Sequence, residues 1–228
     1  MKTIYERTEK LIGGEKLDKL KNSKVILFGL GGVGGHIAEA LARTGVGNID
    51  IADYDVVDIT NANRQIIALK STLGKYKADA FRDRMLDINE DIKVGVFKEK
   101  LTGENVDDFF LTSYDYVIDA IDDVDAKIVL IEKAKALNIP IISSMGTGNK
   151  INPSKFKISD ISKTHTCQLA KKVRKELGTR GIKNVKVVFS EELPEQFGES
   201  FGPPASIAFV PAAAGLLIAG EVIRDLFS

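Results

Sequence analysis

The cluster Gly29-Leu30-Gly31-Gly32-Val33-Gly34 constrains this chain more than any other stretch, because the segments on its two sides have different periods. Lys24-Val25-Ile26-Leu27-Phe28 is a short apolar run that reads as a strand, and Gly35 to Arg43 reads as a helix. Strand, glycine turn and helix in that order set backbone amides at a helix start, where their partial positive charge holds an anion. The glycines let the chain approach that anion closely. A second strand, Asn48-Ile49-Asp50-Ile51-Ala52, ends in Asp53. That is about twenty residues past the glycines, where a carboxylate reaches a ribose hydroxyl in a nucleotide-binding βαβ unit. Gly29, Gly31, Gly32, Gly34 and Asp53 are therefore candidate nucleotide-binding residues.

The fingerprint by itself fits a dinucleotide, and a nicotinamide-binding redox protein rests on nothing more than these glycines and Asp53. The next residues argue for a triphosphate. Tyr54 to Gln65 is polar and carries Asn61 and Arg64, a fixed positive charge just beyond the ribose carboxylate. Hydride transfer has no need of that charge, whereas a triphosphate does.

Gly-x-Gly-Gly-x-Gly at 29–34, Asp53-x-Asp55, Asn61-x-Asn63-Arg64-Gln65, Gly74-x-x-Lys77 and Asp119-x-x-Asp122 together resemble the ubiquitin-activating-enzyme-like, ThiF-type superfamily, whose members adenylate carboxylates with ATP. Within it, Ala42-Arg43-Thr44-Gly45-Val46-Gly47, Ser143-Ser144-Met145-Gly146 and Asp160-Ile161-Ser162-Lys163-Thr164-His165 are similar to the tRNA threonylcarbamoyladenosine dehydratases. The resemblance runs from about Tyr5 to the end of the chain. It implies that Asn61, Arg64 and Lys77 contact ATP and that Asp122 binds Mg²⁺. It also implies a homodimer in which Arg7 reaches the partner's nucleotide and neutralises charge on the triphosphate. Read without the resemblance, Arg7 and Lys77 are ordinary surface cations, and Asp122 or Asp123 is a cap for a helix at Val124 to Asn138.

The remaining chain keeps a rhythm of alternating helices and strands. Residues 5–22 form an N-terminal helical arm, with Gly13-Gly14 between two short pieces. Lys75 to Asn89 is an amphipathic helix with Ala78, Phe81, Met85 and Ile88 on one face. Strands follow at Ile92 to Phe97, Tyr114 to Asp119, Ile139 to Ser144, Lys155 to Ile158 and Val185 to Phe189. Between the last two lies a basic helix, Leu169 to Leu177, and Val210 to Phe227 closes the chain as a helix. The pattern predicts a Rossmann-like α/β fold, a doubly wound and mostly parallel sheet, as a single ATP-binding adenylating domain over 1–228. A second glycine turn, Met145 to Asn149, sits at the sheet edge where an acceptor carboxylate would meet ATP, or merely makes a turn. Residues 190–204 read as a crossover loop.

The formal charge is zero, yet residues 150–186 hold eleven Lys or Arg against two acids. Such a segment is either a polyanion footprint, here for tRNA, or a solvated face. The 44% hydrophobic content suits a soluble globular chain, and Met1 to Arg7 lacks the apolar core of a cleavable signal. Ala205 to Gly220 is too short to span a bilayer and contains Pro211, so the expected compartment is the cytoplasm and no membrane association is expected.

Cys167 is the single thiol. It stands just after Thr164-His165, where the dehydratase pattern has an aspartate before a proline. No Cys-x-x-Cys exists to build the structural zinc of sulfur-carrier-activating relatives. His165 reads as a capping or packing residue and His36 as structural. Chemistry without a thioester follows: the resemblance implies ATP activation of the carboxylate of threonylcarbamoyladenosine, next to the anticodon, and its intramolecular capture to a cyclic product. The rival is an adenylyltransferase for the C-terminal carboxylate of a ubiquitin-like sulfur carrier, and a sulfur-transfer protein partner stays open.

Overall fold

A computed structural model describes residues 3–194 and 204–227. Seven strands, β1 Lys24–Phe28, β2 Asn48–Ala52, β3 Lys93–Phe97, β4 Tyr116–Asp119, β5 Ile141–Ser144, β6 Phe156–Asp160 and β7 Lys186–Ser190, form one sheet. The order is β3-β2-β1-β4-β5-β7-β6, with every pairing parallel except that of β6 with β7. The central strands are covered on both faces, which explains their unbroken apolar runs. Along β1, Val25 and Leu27 enter one core with Ile37, Leu41, Phe81 and Ile218, while Ile26 and Phe28 enter the other with Phe109, Ile131 and Val173.

Helices α1 Glu6–Ile12 and α2 Gly14–Asn22 make the N-terminal arm. Helices α3 Gly34–Thr44, α4 Lys77–Ile88, α5 Val124–Ala136 and α6 Gln168–Thr179 follow, and α7 Phe209–Leu226 comes last. Only part of the arm is free. Leu17 and Leu20 of α2 are buried, whereas α1 buries nothing and leaves Leu11 exposed. The apolar face expected on α4 is present, with Ala78, Phe81 and Met85 inside. Helix α7 packs along α3: a Cβ on Gly215 would come within 2.5 Å of the Val33 carbonyl, so only glycine permits that approach.

The chain moves outward from β1 in opposite directions, to β2 and β3 on one side and to β4 and β5 on the other. The turns leaving β1 and β4 therefore diverge and open a crevice at the carboxyl ends of the strands, the usual ligand position in open α/β sheets. Gly29 adopts φ +86°, and a Cβ there would lie 2.7 Å from the Ala120 carbonyl; the two turns touch only because this residue has no side chain. Most of the predicted crossover loop, residues 195–203, lies outside the described residues. Among the described residues, no helix is long and apolar enough to cross a membrane.

Candidate active site

A cavity of about 590 Å³ fills the crevice, and both sides of the switch point contribute to it. Gly29, Gly31, Gly32, Asp53, Asn61, Arg64 and Lys77 line it, as do Asp122, the 144–148 turn and Pro211 at the start of α7. The structure thus gathers most of the residues singled out from sequence. Gly34 stands behind the wall instead. A Cβ on it would collide with the Gly29 carbonyl, so this glycine shapes the entry into α3. Arg7 is exposed on α1 and does not line the cavity of its own chain. A second cleft of about 730 Å³, lined by Lys19, Asn22, Asp115 and Tyr116, lies at the opposite edge of the sheet, away from every motif.

Asp53 is buried, and both of its oxygens are used. Oδ2 accepts the Leu30 amide at 2.6 Å and Oδ1 the Asp55 amide at 2.9 Å, so the carboxylate fastens the glycine turn to the end of β2. Burial pushes its pKa up, against the opposing pull of Lys77 and the two amides. Lys77 is buried at the start of α4 and ion-paired with half-exposed Asp55 at 2.7 Å. Asp55 is thus a further carboxylate on the ribose side, seen in the sequence only as part of the motif. No side chain caps the start of α3, beside the glycines. Asn61 accepts the Asp58 amide in a capping box that rigidifies the turn carrying Arg64.

Arg64 hydrogen-bonds only to the Thr60 carbonyl and to Asn63 Oδ1, both through Nη1, and has no carboxylate partner among the described residues. On the other side of the crevice, the competing roles of the two aspartates after β4 separate. Asp123 accepts the Ala126 amide at 3.0 Å and caps α5. Asp122 lines the cavity with no hydrogen bond or ion pair to the described residues. A free carboxylate on a cavity of this kind is chemically suited to Mg²⁺, which takes its remaining ligands from phosphate oxygens and water. Among the described residues, no group of three or more His, Cys, Asp or Glu could hold a metal by itself. Next to Arg64, Gln65 is buried, and its Oε1 has no hydrogen-bond partner among the described residues.

Below the cavity lies a network that sequence reasoning missed. Lys127 of α5 is fully buried, and its Nζ donates to Asp119 Oδ2 at 2.9 Å, Ser143 Oγ at 3.2 Å and the Ser144 carbonyl at 2.8 Å. Asp119 also accepts the Ser143 hydroxyl and the Ile121 amide. The ends of β4 and β5, whose turns form the cavity wall, are therefore tied through one ammonium.

Cys167 is buried at the N-cap of α6, where Sγ accepts the Ala170 amide at 3.5 Å. It takes the capping position of the pattern's aspartate and does not line the cavity. His165 is exposed, with its ring edge-on to Phe189 and Nε2 3.5 Å from Glu191, so it packs and does not cap. The 150–186 segment is less uniformly basic than its composition. Lys157 pairs with Glu191, Arg180 with Glu132 and Glu176, and Lys186 with Glu221 and Asp225. Arg174 donates to Thr164, and Lys150 is buried. Lys155, Lys163, Lys171, Lys172, Lys175 and Lys183 remain exposed without an ion pair to the described residues.

Known proteins resemble this chain in both sequence and fold. The tRNA threonylcarbamoyladenosine dehydratase of Bacillus subtilis (strain 168) is 47% identical over 238 residues, covering 97% of this chain and 94% of that protein. The crystal structure of Escherichia coli tRNA N6-threonylcarbamoyladenosine dehydratase in complex with ATP has a TM-score of 0.91 at 33% identity, covering 97% of this chain and 93% of that one. An adenylyltransferase and sulfurtransferase, MOCS3 of Culex quinquefasciatus, is 38% identical over a shorter stretch, 58% of this chain and 30% of that protein. The ThiF family matches residues 5–227, from the last residue before α1 to the first residue after α7, and the chain belongs to that family.

Proposed function

We propose that this chain uses ATP to activate the carboxylate of N6-threonylcarbamoyladenosine, next to the anticodon of tRNA, and closes it into a cyclic product with overall loss of water. The observation that carries the reading is the crevice itself. It gathers an arginine with no acidic partner and a carboxylate with no partner among the described residues beside a glycine turn, in a chain alike to dehydratases over nearly its whole length.

Two anions must meet before a carboxylate oxygen can attack phosphorus. Arg64, Lys77 and the amides at the start of α3 offset the phosphate charge and its increase on the departing group. Asp122 would hold Mg²⁺, which when bound neutralises phosphate charge further. The activated carboxyl is then captured by a nucleophile of the same side chain, a reaction whose high effective molarity makes an enzyme nucleophile unnecessary. The position of Cys167, buried and capping α6, fits that economy. The exposed lysines of the 150–186 segment hold the tRNA backbone. Arg7 serves the site of a second copy in a cytoplasmic homodimer. Activation of a sulfur carrier would use the same ATP residues, but its likeness covers less of the chain.

The test is to incubate the purified protein with ATP and tRNA bearing threonylcarbamoyladenosine, digest the tRNA and weigh the nucleosides. The expected result is an ATP-dependent loss of one water from the modified nucleoside. An unchanged nucleoside, with an adenylate formed on a carrier protein instead, overturns the reading.

A further inference from the structure

The walls of the cavity differ in charge. All its charged lining residues, Arg64 and Lys77 among them, lie between Asp53 and Asp123; the side built by residues 144–148, Leu169 and residues 204–211 carries none. Directly behind that uncharged side is Lys150. It is 4% exposed and has no ion pair among the described residues, and its single acceptor is the Gly148 carbonyl at 3.5 Å, a residue of the cavity wall.

The backbone holds this lysine in place from both directions. Before it, Asn149 donates its amide to the Ala205 carbonyl at 2.8 Å and accepts the Ala205 amide on Oδ1 at 2.7 Å. Asn149 sits at φ 56°, which Asn tolerates better than most residues. After it, the amides of Ile151 and Asn152 both donate to the Glu192 carboxylate. That acid is thereby occupied and does not pair with Lys150. An ammonium taken out of water with no counter-ion among the described residues is a cost to that part of the fold. Fixed beside an uncharged cavity wall, it suits an anion that arrives from outside.

We propose that Lys150 binds the carboxylate of the acceptor, the group that ATP activates. The assignment rests on the activity proposed above and deepens it, naming the residue that brings the second anion to the phosphates. Arg64, Lys77 and the glycine turn serve the triphosphate, and the acceptor carboxylate is the second anion that must be brought to it.

The experiment compares wild type with Lys150→Met, which keeps the stem and removes the charge. For tRNA bearing threonylcarbamoyladenosine, kcat/KM falls at least about tenfold, while ATP affinity stays within about twofold. In binding assays without ATP, the wild-type preference for modified over unmodified tRNA collapses in the variant. Its melting temperature is equal to or above that of the wild type, because an unpaired buried charge is gone. Unchanged kinetics, a loss confined to ATP affinity, or a variant that melts far below the wild type each overturns the assignment. If the wild-type protein does not dehydrate the nucleoside at all, the activity reading fails first and the assignment falls with it.

Discussion

The strand ends under the cavity and the turn beside it each bury a lysine, in opposite ways. Lys127 has three acceptors, one a fully buried carboxylate; Lys150 has one carbonyl at the limit of hydrogen bonding. The first region has spent its polar groups internally and behaves as a frame. The second leaves a charge unspent, as Arg64 and Asp122 do across the crevice. The difference separates residues that hold the site from residues that await a ligand, and neither exposure nor residue type alone would have done so.

Four substitutions strain that division. Arg64→Ala and Asp122→Ala remove unspent groups, and ATP turnover should drop by about a hundredfold or more in each, with melting temperatures near that of the wild type. Turnover retained in both would break the division at its functional end. Lys127→Ala strands Asp119 without its counter-ion and should cost about 3–5 kcal/mol of stability, read from urea unfolding. A loss below about 1 kcal/mol would show that the frame does not depend on the pair. Cys167→Ser exchanges one N-cap for another and should leave turnover within about twofold and stability within about 1 kcal/mol. A severe loss of turnover in a folded Cys167→Ser protein would move this cysteine to the functional side.

The frame was legible in sequence only where it repeats a period. Apolar runs and the glycine cluster announce β1, α3 and the crevice, because a parallel sheet buried on two faces leaves few alternatives for Lys24–Phe28. Lys127 gives no such sign. In Val124–Ala136 it reads as one of three lysines on a helix, and its burial is decided by Asp119 and Ser143 on two different strands. Lys150 was hidden the same way, counted among eleven cations of which Lys157, Arg180 and Lys186 are paired by Glu132, Glu191, Glu221 and Asp225 far away in the chain. The antiparallel direction of β6 was also beyond reach, since a short edge strand carries no mark of its orientation. The motif located Asp53 as a ribose contact, but not that both its oxygens would be taken by the amides of Leu30 and Asp55.

Helix α7 has a consequence for how the molecule comes into being. It lies along α3, contributes Val210, Ala214, Ile218 and Val222 to one core, and carries Pro211 into the cavity wall. A ribosome making this chain emits the glycine turn, both aspartates and Lys150 long before α7 emerges. The nascent polypeptide then holds every element of the motif while the part of the core that Val210, Ala214, Ile218 and Val222 fill stays open to water, a state that invites chaperones. The cavity wall at Pro211 is accordingly completed only once α7 has docked against α3.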